Sequence, residues 1–155
     1  MNPFLLFQDW YGKELLQSAV SIPSACCLST IGLDGYPNAR FVSLKEVKND
    51  AFIVTGPVNS KKGIEIQQYP KVALTFWWAN SERQVRCQGN VVEIADFEAD
   101  KYFSERSRES QIVSCVSEQG KVMEDLEFLN EKYKEKEFQL QGKVIIRPAN
   151  WGDFL

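Results

Sequence analysis

The strongest constraint on the fold is the order of the sequence periodicities. Short strand-like runs separated by turn signals fill residues 25–94, and helix-like patterns fill 96–136. Runs at 25–30 and 38–47 flank Asp34-Gly35, a dipeptide that supplies the positive φ angles of a tight hairpin. Lys48-Asn49-Asp50 then separates 42–47 from 51–55, predicting a second hairpin. Pro57, Asn59 and Ser60 lead into a short helix, capped by Ser60 and closed before Pro70, since the residue preceding a proline avoids the helical region. Runs at 71–78 and 83–94 follow around Ala79-Asn80-Ser81, with Gly89 expected at a bulge or a close backbone approach.

Asn2-Pro3 is a cap and first-turn pair, and Phe4, Phe7, Leu15 and Val20 recur at helical spacing, so a helix opens the chain, weakened at Gly12. The later helical stretch breaks near 104–107 and 117–120, and a last strand is expected at 143–147. Strands clustered first and helices later predict an α+β fold, mainly β with α: an antiparallel barrel with packed helices. With no repeat, low-complexity tract or linker, one domain over 1–155 is expected.

At 155 residues, 44% apolar and 25% charged, the chain has the makeup of a soluble globular domain. Its longest apolar stretches are too short to cross a bilayer and its first residues lack the layout of a secretory signal, so a cytoplasmic location is expected. Four cysteines form no CxxC pair and there is no histidine, which argues against zinc sites, disulfide frameworks and Ser-His or Cys-His catalysis within one subunit. No metal is expected, and the chemistry is assigned to a cofactor. A net charge of −3 provides no global field for nucleic acid or an anionic membrane, but it is compatible with a local basic pocket for a small anion.

Three clusters suit such an anion. On a strand, Arg40, Val42 and Leu44 share one face and Phe41, Ser43 and Lys45 the other, so Arg40 and Lys45 are not simple neighbours. In Thr55-Gly56-Pro57-Val58-Asn59-Ser60-Lys61-Lys62, a strand end meets a helix start bearing one hydroxyl and two ammonium groups, a setting suited to a phosphate dianion. Tyr102, Arg106 and Ser110 are spaced four apart and on a continuous helix would line one stripe. Each cluster also fits an ordinary solvated surface. Trp77, Trp78 and Trp151 could flank an aromatic ring or simply fill the core. Cys26 and Cys27 point to opposite faces of a strand and are read as packing residues.

Taken in order, Arg40 to Lys45, Ser60-Lys61-Lys62, Glu82-Arg83-Gln84-Val85, Lys101-Tyr102-Phe103, Arg106-Ser107-Arg108-Glu109-Ser110-Gln111-Ile112, Val116-Ser117-Glu118-Gln119 and Asn150-Trp151-Gly152 resemble the pyridoxamine 5′-phosphate oxidase family over nearly the whole chain. The resemblance implies a split β-barrel homodimer with FMN at the subunit interface. It implies FMN contacts from Arg40, Phe41, Val42, Ser43, Leu44, Lys45, Val54, Thr55, Ser60, Lys61, Lys62, Gln84, Gln119 and Trp151. It further implies that Lys45, Tyr102, Arg106 and Ser110 hold a phosphorylated pyridine, oxidised to pyridoxal 5′-phosphate with O2.

Departures from the family pattern are Lys61 in place of the usual Arg and Gly120 in place of a Ser after Gln119. The family's Arg-Leu-His substrate motif beyond Trp-Gly is not in this sequence. Two further readings therefore stay open: a flavin oxidoreductase with another substrate, and a non-catalytic binder of FMN or a vitamin B6 phosphate.

Overall fold

The computed structural model describes residues 2–123 and 125–154. They fall into two compact units that interleave along the chain: 2–54, 65–92 and residue 154 in the first, 55–64 and the described residues of 93–153 in the second.

In the first unit, helix α1 spans Pro3–Gln17, with the Asn2 side chain accepting from the Phe4 N–H at 2.8 Å and proline in the first turn. Its buried Phe7 packs against Tyr11, Phe52, Phe76 and Trp78, with ring centroids 4.8–5.6 Å apart. Burying each such ring contributes roughly 1.5–3 kcal/mol. Trp78 therefore belongs to the aromatic core, whereas Trp77, next along the strand, is 62% exposed.

Strands β1 (Ala25–Ile31) and β2 (Pro37–Lys48) form the first hairpin, closed by Gly35 at φ 83°. Strand β3 (Ala51–Pro57) follows a two-residue turn in which Asn49 and Asp50 both have positive φ, 51° and 60°, the backbone of a type I′ hairpin. Helix α2 is Lys61–Gln68, and β4 (Lys71–Trp78) and β5 (Arg83–Asn90) make the third hairpin. Inward positions alternate with outward ones: Cys26, Leu28 and Thr30 of β1 are buried while their neighbours are not.

Strand order is β5-β4-β1-β2-β3-β6, where β6 is Trp151–Phe154, and the β1–β2, β1–β4, β2–β3 and β4–β5 pairs are antiparallel. The α+β class with an antiparallel sheet is as expected.

In the second unit, α3 (Asp96–Ser104), α4 (Arg108–Val116) and α5 (Leu126–Leu140) follow one another. Ser107 caps α4 through a side-chain bond to the Ser110 N–H, at the first predicted break; α4 ends at Val116, where the second was predicted, and Asp125 caps α5 through the Glu127 N–H.

Four expectations are corrected. Strand β5 stops at Asn90 rather than 94, where the Val91 N–H turns to the Pro70 carbonyl. Gly89 sits in regular register opposite Val72, and the irregularity lies instead in β2 between Leu44 and Glu46, so Lys45 is the extra residue of a bulge. Residues 143–147 form no strand even though Val144 and Ile146 are exposed around buried Ile145, because side-chain alternation alone supplies no neighbouring backbone to pair with; the pairing strand comes later, as β6. Tyr102, Arg106 and Ser110 are not on one continuous helix, since α3 ends at Ser104 and α4 begins at Arg108.

Candidate functional site

Polar groups suited to holding an anion occur in each unit. In the second, the end of β3 turns at Pro57 into α2, and Ser60 is the cap: its Oγ accepts from the Gly63 N–H at 3.4 Å and donates to the Pro57 carbonyl at 2.6 Å. The same oxygen accepts from the Lys62 Nζ at 3.1 Å, and the Gln119 Oε1 accepts from that Nζ at 2.6 Å. Ser60 is 2% and Lys62 6% exposed. A buried ammonium requires hydrogen-bond acceptors. The Ser60 hydroxyl and the Gln119 amide oxygen orient the ammonium group.

Glycines let the backbone close around this turn. A Cβ on Gly63 would lie 2.0 Å from the Val58 carbonyl oxygen, and one on Gly56 would lie 3.3 Å from the Lys62 Nζ. Gly120 has φ +93°, where an L side chain is strained, and its Cβ would come 3.2 Å from the Lys61 nitrogen. The departure from serine at this position therefore has a backbone reason.

The Val58 N–H donates to the Asn150 carbonyl at 2.7 Å, which brings the segment leading into Trp151 alongside the turn. Trp151 is 2% exposed and meets Phe103 edge to face at 5.1 Å, with the Arg106 guanidinium carbon 5.3 Å from its ring centroid. Arg106 also reaches the Ser110 carbonyl at 3.5 Å, so this pair meets across the α3–α4 break. Tyr102 is buried beside Phe103. Arg147, which the sequence reading placed at a strand end, binds Asp100 at 2.6 Å, Asp96 at 2.7 Å and the Trp151 carbonyl at 2.5 Å, fixing the tryptophan backbone to α3.

The first unit holds the other cluster. Arg40, on the inward face of β2, donates to the Glu65 carboxylate at 3.0 Å, to the Thr30 hydroxyl at 2.5 Å and to the Leu28 carbonyl at 3.3 Å. Glu65 is 1% exposed, and it also accepts from Thr30 at 2.5 Å and from the Asn38 amide at 2.7 Å. Burial alone would raise the Glu65 carboxyl, but the hydrogen bonds from Thr30, Arg40 and Asn38 and the Arg40 charge outweigh it and hold the group below the usual carboxylate range. Sequence reasoning missed Glu65. Its only local signal is a carboxylate between Ile64 and Ile66 on a short helix.

The remaining positions are distributed along the strands. Val42 is half-buried and Leu44 buried on the Arg40 face, while Phe41, Ser43 and Lys45 are exposed, as the alternation predicts. Val54 is buried near the end of β3 with Thr55 next to it, and Gln84 lies on β5 opposite Trp77, three strands from β2. Cys26 is buried, and burial with the neighbouring Cys27 and Cys87 pushes its thiol up to about 12, consistent with packing rather than reactivity. A separate cavity of about 430 Å³ in the first unit is walled mainly by apolar side chains, among them Phe4, Phe7, Leu28, Phe52 and Leu74. Among the described residues no cluster of metal-ligating side chains occurs, and no helix is long and apolar enough to cross a membrane.

The fold is close to that of PhzG from Burkholderia lata 383, solved with tetrahydrophenazine-1-carboxylic acid: TM-score 0.90, 23% identity, 98% of this chain and 74% of that one. A pyridoxamine 5′-phosphate oxidase-related, FMN-binding protein from Nostoc punctiforme matches with TM-score 0.77 at 14% identity, over 99% of this chain and 79% of that one. In sequence, the pyridoxine/pyridoxamine 5′-phosphate oxidase of Acaryochloris marina is 39% identical over 99% of this chain and 69% of its own length. That of Wolbachia pipientis wMel is 40% identical over 99% and 70%. The family model described as pyridoxamine 5′-phosphate oxidase matches residues 13–139, a span that takes in β1 to β5, the Ser60-Lys61-Lys62 turn and Gln119. On this match and these identities, the chain belongs to the pyridoxamine 5′-phosphate oxidase family.

Proposed function

We propose that this protein is an FMN-dependent oxidoreductase that oxidises a phosphorylated pyridine amine or alcohol to pyridoxal 5′-phosphate with O2. The observation that carries the reading is the buried Lys62 ammonium, oriented by Ser60 and Gln119 at the start of α2 in a member of this family. A phosphate dianion is stabilised by cations and by the N–H groups of a helix start, and this turn offers both. The donor set fits the FMN phosphate: a hydroxyl, an amide and adjacent ammonium groups, next to glycines that keep the backbone close.

In this reading Arg40, Ser60, Lys61 and Lys62 hold the phosphate of FMN, while Phe41, Val42, Ser43, Leu44, Lys45, Val54, Thr55, Gln84, Gln119 and Trp151 line the rest of its site, Lys45 facing both flavin and substrate. Bound FMN would supply the redox chemistry, taking a hydride equivalent from the substrate carbon and passing its electrons to O2 to give peroxide. Lys45, Tyr102, Arg106 and Ser110 hold the substrate phosphate, Arg106 through a planar fork suited to two oxygens. The protein works as a cytoplasmic homodimer with FMN at its interface. Exposed Phe41 and Trp77, on β2 and β4, support an apolar contact face.

The test is incubation of purified protein with FMN and pyridoxamine 5′-phosphate, following aldehyde and peroxide. FMN-dependent formation of both is expected. No product above a flavin-only control, with flavin still bound, would leave the binding and remove the assigned reaction.

A further inference from the structure

We infer that Glu65 is the positioning residue for Arg40, locking its guanidinium in the orientation from which it meets the flavin phosphate. The inference rests on the FMN reading above and adds to it a residue that contacts no ligand itself.

Arg40 and Glu65 are 25 positions apart and belong to different elements, β2 and α2, so their contact is a tertiary one. A long arginine side chain has many rotamers, and an unrestrained guanidinium would be a poorly aimed anion ligand. Here the guanidinium is held by a closed ring of bonds. One terminal nitrogen donates to Glu65, the other to Thr30, and the Thr30 hydroxyl itself donates to the same Glu65 oxygen. The second Glu65 oxygen is occupied by Asn38, two residues before Arg40 on the same strand. The carboxylate is therefore anchored on both sides of the guanidinium and cannot swing away from it.

A purely stabilising role explains this arrangement poorly. Buried ion pairs often contribute little net stability, because desolvation of the two charges offsets their attraction. A well-packed apolar pair would serve the core at least as well. What such a pair cannot do is hold a cation in one fixed orientation.

The test is a double-mutant cycle on FMN affinity, read by flavin fluorescence quenching in wild type, Glu65→Ala, Arg40→Ala and the double variant, each checked for its unfolding transition. Loss of positioning should weaken FMN binding at least tenfold in Glu65→Ala. In the Arg40→Ala background the same change should have less than a twofold effect, because there is no guanidinium left to aim. Glu65→Gln, which keeps an acceptor, should restore part of the affinity. An equal loss in both backgrounds, or wild-type affinity in Glu65→Ala, would overturn the proposal.

Should Glu65→Ala not fold, Thr30→Val removes the bridging hydroxyl at constant volume and is carried through the same cycle, with a loss of a few fold expected only when Arg40 is present. Wild-type protein that takes up no FMN would instead remove the functional reading, and the positioning role with it. Wild-type binding with additive losses removes the positioning role alone.

Discussion

At the scale of single residues, the decisive contrast is between cations that the fold buries and orients and cations that it leaves at the surface. Lys62 is 6% exposed and held between two side-chain oxygens, whereas its neighbour Lys61 is exposed. Lys62→Ala should therefore weaken FMN binding by about 10- to 100-fold, the equivalent of one charged hydrogen bond of roughly 1.5–3 kcal/mol. Thermal unfolding without flavin should change little, since removing an ammonium from a buried setting also removes its desolvation cost. Equilibrium dialysis with FMN checks the first statement and calorimetry the second; unchanged flavin affinity would take Lys62 out of the site. Residue identity alone could not distinguish Lys62 from Lys61. Nothing in Ser60-Lys61-Lys62 announces that Gln119, 57 positions away, folds back onto the second lysine.

At the scale of elements, turn chemistry was the most legible part of the sequence. Asp34-Gly35 and Asn49-Asp50 each mark a hairpin, and Asn2 and Ser60 each cap a helix, because the backbone there needs particular side chains or particular φ angles. What could not be read was anything decided by a distant partner. The run at 143–147 has strand-like alternation, but the segment that finds a backbone partner in the sheet is Trp151–Phe154. The bulge at Lys45 was equally hidden, since it is defined by the register against β3 rather than by any residue in β2. Of the site, the Arg40 face and the Ser60 cap could be read from local pattern, while Glu65 and Arg147 could not. The β2–β3 turn offers an element-scale test. Asp50 sits at φ 60°, a conformation glycine adopts without strain, so Asp50→Gly creates the preferred Asn-Gly turn and should raise stability by up to about 1 kcal/mol, or about 1–4 °C in Tm. A lower Tm would show that the Asp50 side chain contributes more than its backbone costs.

For the molecule as a whole, the buried Glu65 gives stability a definite acid dependence. Its carboxyl titrates lower in the folded protein than in the unfolded chain. The associated stability is therefore fully present above the unfolded value, about 4.3, and is lost as pH falls through the lower folded value. Urea midpoints measured from pH 6 to pH 3 should fall in the wild type, and Glu65→Gln should flatten part of that fall. Parallel curves for the two proteins would mean that the Arg40–Glu65 pair is not what acid disrupts.

The interleaving of the two units also limits how the protein can be divided. The chain leaves the first unit after Val54, returns at Glu65 and leaves again after Val92. A fragment beginning at residue 93 would keep Gln119, Arg106 and Trp151 but lack the ten-residue excursion that brings in Ser60 and Lys62. No single cut yields both units intact. A nonsense lesion within α4 would thus keep Ser60 and Lys62 but remove the Gln119 oxygen that accepts from the Lys62 ammonium, leaving an upstream turn without its downstream partner.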